Sequence, residues 1–404
     1  MIKMIKAPHI LLPKQDVDWS KYAVVACDQY TSNVEYWDTL REEVGDNLST
    51  LNMIYPEVYL DRTDNDLFIN RINKNIKQYL KNKDLEDIGK CFVLVERITS
   101  YGVKRLGLVL AIDLEDYSYE KGTKALIRAS EATIVERIPP RLKIRQDAKI
   151  ELPHVLVLFD DPEKKIVESL YSKRDKLEKI YDFELNKDGG HVRGYKVENT
   201  NEVIKQFDNL FRRNNNGLLF IVGDGNHSLA TAKAHWEIIK KNLSEKQRQN
   251  HPARYALVEA NNLYDDGIIF EPIHRVMFNV DDKFEDELRK RVDGEFISFT
   301  YTNEGGKKEL KLPRNAPMAY LKVQTFLDEY LVKHPESKID FIHDEDELMS
   351  VADKNTNSVA IAMPALTKED LFDYLAKDRV LPRKSFSMGH ANEKRYYLEA
   401  KKIK

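Results

Sequence analysis

Apolar residues along the chain fall into short, nearly continuous runs separated by longer stretches with helical spacing. The runs at Tyr22–Cys27, Leu106–Ile112, His154–Phe159, Leu218–Val222 and Val359–Met363 are bounded by turn residues and predict buried strands. Between them, Glu35–Val44 and about Asn65–Lys83 carry helical periodicity, the first capped by Ser32 or Asn33. Ala23–Cys27 reads as a strand, and Phe92–Arg97 and Arg105–Asp113 read as a hairpin turned at Ser100-Tyr101-Gly102. A helix resumes after Arg137-Ile138-Pro139-Pro140-Arg141, and His154–Phe159 ends at Asp160-Asp161-Pro162. Further on, Gly217–Val222, Arg254–Ala260 and Ile268–Glu271 predict strands, with a helix over Ser228–Lys241. The tail predicts a polar turn at Asn303–Lys308, a helix near Val323–Val332, strands at Lys338–Ile342 and Ser358–Met363, and a helix over Lys368–Lys377. Strands alternating with amphipathic helices predict a mixed α/β (α+β) protein of several short mixed sheets flanked by helices.

Composition narrows the class. The 404 residues are 42% hydrophobic and 32% charged, enough apolar surface for a core, and 16 Gly with 14 Pro exclude collagen-like or low-complexity chains. This length predicts two or three domains, drawn here at 1–150, 151–285 and 286–404 although no composition shift marks the boundaries. Lys and Arg number 64 against 67 Asp and Glu, a net charge of −3, so no global field attracts nucleic acid or an anionic membrane. No apolar run approaches the roughly 20 residues of a membrane span. The start, MIKMIKAPHILLPK, lacks the apolar stretch of a secretion signal. Cys27 and Cys91 stand in no metal or redox spacing, which predicts a reduced, cytoplasmic protein. A homo-oligomer is compatible with all of this.

The strongest chemical signal is Gly217 to Glu237, where a strand runs through Gly223-Asp224-Gly225-Asn226-His227-Ser228 straight into a helix. Glycines permit a tight turn, and N–H groups at a helix start favour an anion. Asn226 or Ser228 could cap the helix, His227 could donate to a phosphate oxygen, and Asp224 beside a phosphate suggests a Mg²⁺ ligand or a base. The same residues also fit a plain strand–helix turn in which Asp224 and Asn226 only cap. Neither GxGxxG nor GxxxxGK[ST] is present, and GxSxG, HRD and DFG are absent too.

The order of four segments resembles the bacterial and archaeal family known as domain of unknown function 1015. Asp224-Gly225-Asn226-His227-Ser228 is similar to that family's Asp-Gly-His-His-Arg turn. Ser130-Glu131-Ala132-Thr133 with Arg137 and Arg141 resembles its His-Glu-x-Thr segment, Pro272-Ile273-His274-Arg275 its Pro-Thr-His-Arg, and Pro382-Arg383-Lys384-Ser385-Phe386 its Pro-x-Lys-Ser-Thr. The match spans nearly the whole chain. The turn also resembles that of the ParB and sulfiredoxin superfamily, which includes nucleotide-binding partition proteins and a kinase of free serine. That likeness implies a central ParB/sulfiredoxin-like part holding nucleotide phosphates at the turn. Asn226 replaces a His and Ser228 an Arg, and the lost Arg removes a bidentate phosphate clamp that Lys233 could replace.

Other residues join this reading. Arg128 and Glu131 at i, i+3 fit a surface pair on a helix; with the resemblance, Arg128 and Arg141 are expected on phosphate and Glu131 as a base or Mg²⁺ ligand. His274 and Arg275 follow a strand and a proline, and Arg383 and Lys384 sit in a Pro-bounded loop that could close over an anion. Asp28 follows the first strand, a common catalytic location in α/β folds. Cys27 reads as a small buried residue, and His227 with His235 lacks a third ligand for zinc. The expected function is transfer of a phosphoryl group to or from a small, serine-like hydroxylated metabolite, with ATP or ADP and Mg²⁺ as cofactors. Asp224, His227 and Glu131 would be catalytic; Gly225, Asn226, Ser228, Arg128, Arg141, His274, Arg275, Lys384 and Asp28 would bind a small phosphate-containing ligand. The alternatives are a non-catalytic nucleotide or metabolite sensor and, against the net charge, a DNA-associated regulator.

Overall fold

The computed structural model describes residues 4–60, 64–214, 216–377 and 379–404. It is a mixed α/β protein built as two compact units. The first comprises residues up to Ala129, Thr133–Ile268 and His390–Lys404; the second comprises Ser130–Ala132 and Ile269–Gly389.

The first unit is organised by a large mixed sheet. Its order is Glu178–Leu185, Gly190–Val197, Phe92–Ile98, Lys104–Asp113, Tyr255–Asn262, Leu156–Phe159, Phe220–Asp224, Ile127–Ala129 and Tyr117–Ser118, with Ile5–Lys6 also paired to Lys104–Asp113. Pairing is antiparallel on the hairpin side and parallel where Tyr255–Asn262 meets Leu156–Phe159 and where Phe220–Asp224 meets Ile127–Ala129. Strand side chains alternate between the two faces of a sheet, and here both faces are covered. Val93, Val95 and Val109 join Trp37, Ile72 and Tyr396 in one core, while Phe92, Leu94, Leu108 and Leu110 join Phe207 and Trp236 in the other. Two-sided burial explains why Lys104–Asp113 reads as a continuous apolar run. Helix Asn65–Asn82 buries Ile69, Ile72 and Ile76, a single apolar stripe.

The second unit holds an antiparallel sheet in the order Gly306–Leu312, Phe296–Thr302, Ser358–Ile361, His274–Phe278 and Lys338–Ile342. Val276, Ile342, Leu348, Ala352 and Ala360 form a core against it, and helix Ala316–Lys333 buries Tyr320, Val323 and Leu327.

Several expected elements shift. Ala23–Cys27 is no strand; it makes a single bridge, Val25 to Tyr396. Helix Ile138–Arg145 starts before Arg141, because Pro139 and Pro140 fall at its first positions, where no N–H partner is needed. The strand after Gly217 is Phe220–Asp224, and its helix is Asn226–Ile239. Arg128 lies on strand Ile127–Ala129, so Arg128 and Glu131 share no helix face. The helices Thr200–Asn214, Phe284–Val292 and Glu345–Asp353 and the hairpin Glu178–Leu185 with Gly190–Val197 were not foreseen. None of the model's helices, among the described residues, is long and apolar enough to cross a membrane.

Candidate functional site

A cluster of six charged side chains forms in the first unit from segments far apart in sequence. Asp28 follows the Val25 bridge, and its Oδ2 lies 3.5 Å from Nε2 of His154, which sits just before strand Leu156–Phe159. The other ring nitrogen of His154, Nδ1, is 2.7 Å from the Tyr397 hydroxyl, which also accepts the Cys27 N–H at 3.2 Å. Asp224 ends strand Phe220–Asp224, paired with Leu156 just after a register shift, and its Oδ2 is 3.5 Å from Nζ of Lys394. Arg141, on helix Ile138–Arg145, is ion-paired with Glu57.

Electrostatics couple these pairs into one site. Burial alone would raise the Asp28 carboxyl, but the His154 charge, Gln29 and Lys394 hold it well below the usual carboxylate range. Burial opposes the imidazolium of His154, yet Asp28 first, then Asp224 and Glu57, raise it above 6.5. Glu57 is pushed up by burial more than Arg141 pulls it down. Both shifts favour the charged forms, an aspartate beside an imidazolium. His154 is 8% and Asp28 28% exposed by side chain, so solvent reaches the carboxylate and not the ring. Burial pushes the Cys27 thiol up, which agrees with an unreactive residue.

The glycine turn joins this cluster as a spacer. Gly225 adopts φ +82, and a Cβ there would stand 3.1 Å from Val155 and 3.5 Å from the His154 ring. Gly225 also takes the cap position of helix Asn226–Ile239 with no side-chain cap, correcting the expectation that Asn226 or Ser228 caps it. Gly225→Ala is expected to cost about 1–2 kcal/mol through the left-handed backbone, read as a lower thermal midpoint. His227 Nε2 accepts the Ile134 N–H at 3.2 Å, which ties the Arg141 segment to the turn. Ser228 lines a cavity of about 20 Å³ with Arg145 and Glu151, room for about one water. Lys233 bonds the Leu114 carbonyl at 2.8 Å and pairs with Glu237, so it does not replace the missing clamp.

The remaining expected residues have other partners. The Arg128 guanidinium binds the carbonyls of Ala125 at 2.8 Å and Gly217 at 3.4 Å. Glu131, Lys384, His274 and Arg275 belong to the second unit. There His274 Nδ1 accepts the Met363 N–H at 3.0 Å, and burial pushes its pKa down to about 4, a neutral structural ring. Arg275 is fully buried over the Tyr320 ring. Glu131 accepts backbone N–H groups from Lys384 and Ser385, so its carboxylate is engaged in the loop and not poised as a base. The Mg²⁺ expected at Asp224 is also a poor fit. Its carboxylate faces Lys394, and among the described residues no three His, Cys, Asp or Glu side chains gather to hold a cation.

The cluster contains three of the sequence candidates, Asp28, Arg141 and Asp224, together with Glu57, His154, Lys394 and Tyr397, which the sequence pattern does not single out. Lys394 and Arg395 did carry a signal: two adjacent cations before the hydrophobic run Tyr396-Tyr397-Leu398, in a segment that proves buried.

Comparison with solved structures gives distant likenesses. The chain is similar to a free serine kinase in complex with AMP, at 13% identity and TM-score 0.37, over 73% of this chain and 91% of that one. It is similar to a conserved hypothetical protein from Pyrococcus furiosus at 11% identity and TM-score 0.35, over 73% and 93%. It is also similar to SbnI with C-terminal truncation from Staphylococcus aureus at 10% identity and TM-score 0.37, over 69% and 81%. No curated protein matches it. The family comparison reaches further, over residues 9–403: the chain belongs to the family described as protein of unknown function (DUF1015).

Proposed function

We propose that the first unit binds a small phosphate-bearing molecule and transfers a phosphoryl group between it and a hydroxylated metabolite. The observation that carries this reading is the solvent-reaching Asp28 carboxylate, kept ionised by His154, in one cluster with the cations Lys394 and Arg141. Phosphoryl transfer asks mainly for positioning and charge neutralisation. Lys394 and Arg141 supply the positive charges, held in place by Asp224 and Glu57. Asp28 takes the proton of the acceptor hydroxyl as that oxygen bonds to phosphorus and the bond to the leaving phosphate breaks. His154 does not touch the substrate in this scheme; it orients Asp28 and balances its charge, with Tyr397 fixing the ring from behind. ATP or ADP is the expected donor, and a serine-like alcohol the expected acceptor. A divalent ion would arrive on the donor's phosphates, since among the described residues no three His, Cys, Asp or Glu side chains gather to hold one.

Thermal unfolding with ATP, ADP and pyrophosphate, each with and without Mg²⁺, tests the binding step. A ligand at about 100 times its Kd adds about 2.7 kcal/mol, and Lys394→Ala should remove most of that shift. Binding without any turnover of candidate alcohols would make the protein a sensor. No shift with any of these ligands would reject the site.

A further inference from the structure

The loop around Lys384 in the second unit has the form of an anion receptor. Successive backbone N–H groups of Lys384, Ser385 and Phe386 converge on one carboxylate: Lys384 N reaches Glu131 Oε2 at 3.0 Å, and Ser385 N and Phe386 N reach Oε1 at 2.9 and 3.4 Å. Consecutive N–H groups aimed at one point make an anion-binding concavity. Lys384 turns the chain for this purpose, with a left-handed φ of +56.

The surroundings are built and positive. Ser385 is fully buried, and its hydroxyl donates to the Pro382 carbonyl at 2.8 Å, fixing the loop. Leu381 pairs with Glu131 in a parallel bridge, setting the carboxylate opposite the loop. Arg275 is fully buried beneath it, its guanidinium spent on the Ile273 and Arg383 carbonyls and on Gln324 rather than on a carboxylate. Its electrostatic neighbours are Tyr320, Glu131, Arg383 and Asp328. Arg383 in turn stands 3.7 Å from Asp328. Three cations, Arg275, Arg383 and Lys384, thus face two carboxylates, and one of those two sits in the receptor. Burial raises the Glu131 carboxyl against its N–H donors, so its charge is held there at a cost.

We propose that the Lys384–Phe386 backbone is a receptor for a ligand oxyanion, phosphate or carboxylate, and that Glu131 is the internal anion that occupies it until a ligand displaces it. The receptor needs only a charged group of oxyanion geometry, which is what Glu131 supplies. Its test is independent of phosphoryl transfer in the first unit, because it reads anion binding alone.

The experiment titrates phosphate, sulfate and acetate, at constant ionic strength set with chloride, against the wild-type chain and Glu131→Ala. Thermal midpoints give the affinity, and amide chemical shifts of Lys384, Ser385 and Phe386 give the place. Glu131→Ala should bind at least one of these oxyanions tenfold or more tightly than the wild type, with shifts at those three amides. A preference for phosphate or sulfate over acetate identifies a phosphoryl ligand, and the reverse a carboxylate ligand. If Glu131→Ala folds only with an oxyanion present, that rescue also supports the proposal. If it does not fold at all, Glu131→Gln, which keeps an acceptor but no charge, must show the tighter binding. Equal anion responses in wild type and the folded variant overturn it.

Discussion

Asp28→Asn is expected to lower phosphoryl transfer by about 10²–10⁴-fold, the usual weight of a positioned proton acceptor, with little change in KM. The amide keeps the size of the side chain but cannot take a proton. The pH dependence has a definite sign. Wild-type Asp28 sits below its ordinary 3.8, so the acid limb of activity should lie below that value. In His154→Gln the largest opposing contribution to burial is gone, so the limb should move upward in pH. An unmoved limb would remove Asp28 from the base role. Stability follows the same pair. His154 is raised above 6.5, so its contribution is full below 6.5 and is lost as pH rises through its folded value. Asp28 is lowered, so its contribution is present above 3.8 and is lost as pH falls through its folded value. Wild type and His154→Gln should therefore differ most between about pH 4 and 6.5 and converge at alkaline pH.

Arg395→Met should cost about 3–5 kcal/mol, the largest stability effect among these variants. The Arg395 guanidinium is 4% exposed and lies between two buried carboxylates, Glu259 at 2.9 Å and Glu399 at 2.6 Å. It also donates to the Pro153 carbonyl at 2.6 Å and to the Tyr396 carbonyl at 3.2 Å. Glu399 accepts the Tyr181 hydroxyl at 2.6 Å, extending the network. Residue 107 must be glycine for Glu259 to fit, since a Cβ there would stand 2.2 Å from its Oε1. Methionine leaves two buried carboxylates without the cation between them. Because Arg395 bridges the Pro153–His154 segment to the strand of tail carrying Lys394 and Tyr397, ligand binding in the first unit should fall as well. Arg395→Lys keeps the charge and should recover part of the midpoint. A midpoint for Arg395→Met within about 1 kcal/mol of wild type would show that the network carries no such load.

How much of this was legible depended on the range of the interaction. Strands such as Phe92–Ile98 and Lys338–Ile342 came directly from short β-rich patterns, and the cap was narrowed to Ser32 or Asn33, of which Asn33 is the one, because both signals are local. Asp28 stood out because it follows the apolar run Ala23–Cys27, Asp224 because it is a carboxylate in the glycine turn, and Arg141 because of its motif. Their partners did not. His154 looked like the first residue of a buried strand, and nothing near it in sequence reveals that Asp28 lies across the fold. Glu57 lies in a short helical turn with no periodic signal. The i, i+3 spacing of Arg128 and Glu131 misled for the opposite reason: the spacing was local, but the segment pairs as a strand with Phe220–Asp224 and has no helix face.

The return of residues 390–404 to the first unit also sets an order of assembly. Synthesis delivers the amino-terminal part first, so most of the large sheet leaves the ribosome long before Lys394, Arg395 and Tyr397 exist. The second unit, 269–389 with its short piece at 130–132, is complete while the first still lacks its last fifteen residues. During that interval Glu259, Asp224 and His154 are without their cation and hydroxyl partners. The nascent first unit then has every strand of its large sheet but lacks the side chains that neutralise and fix these buried acids and the histidine.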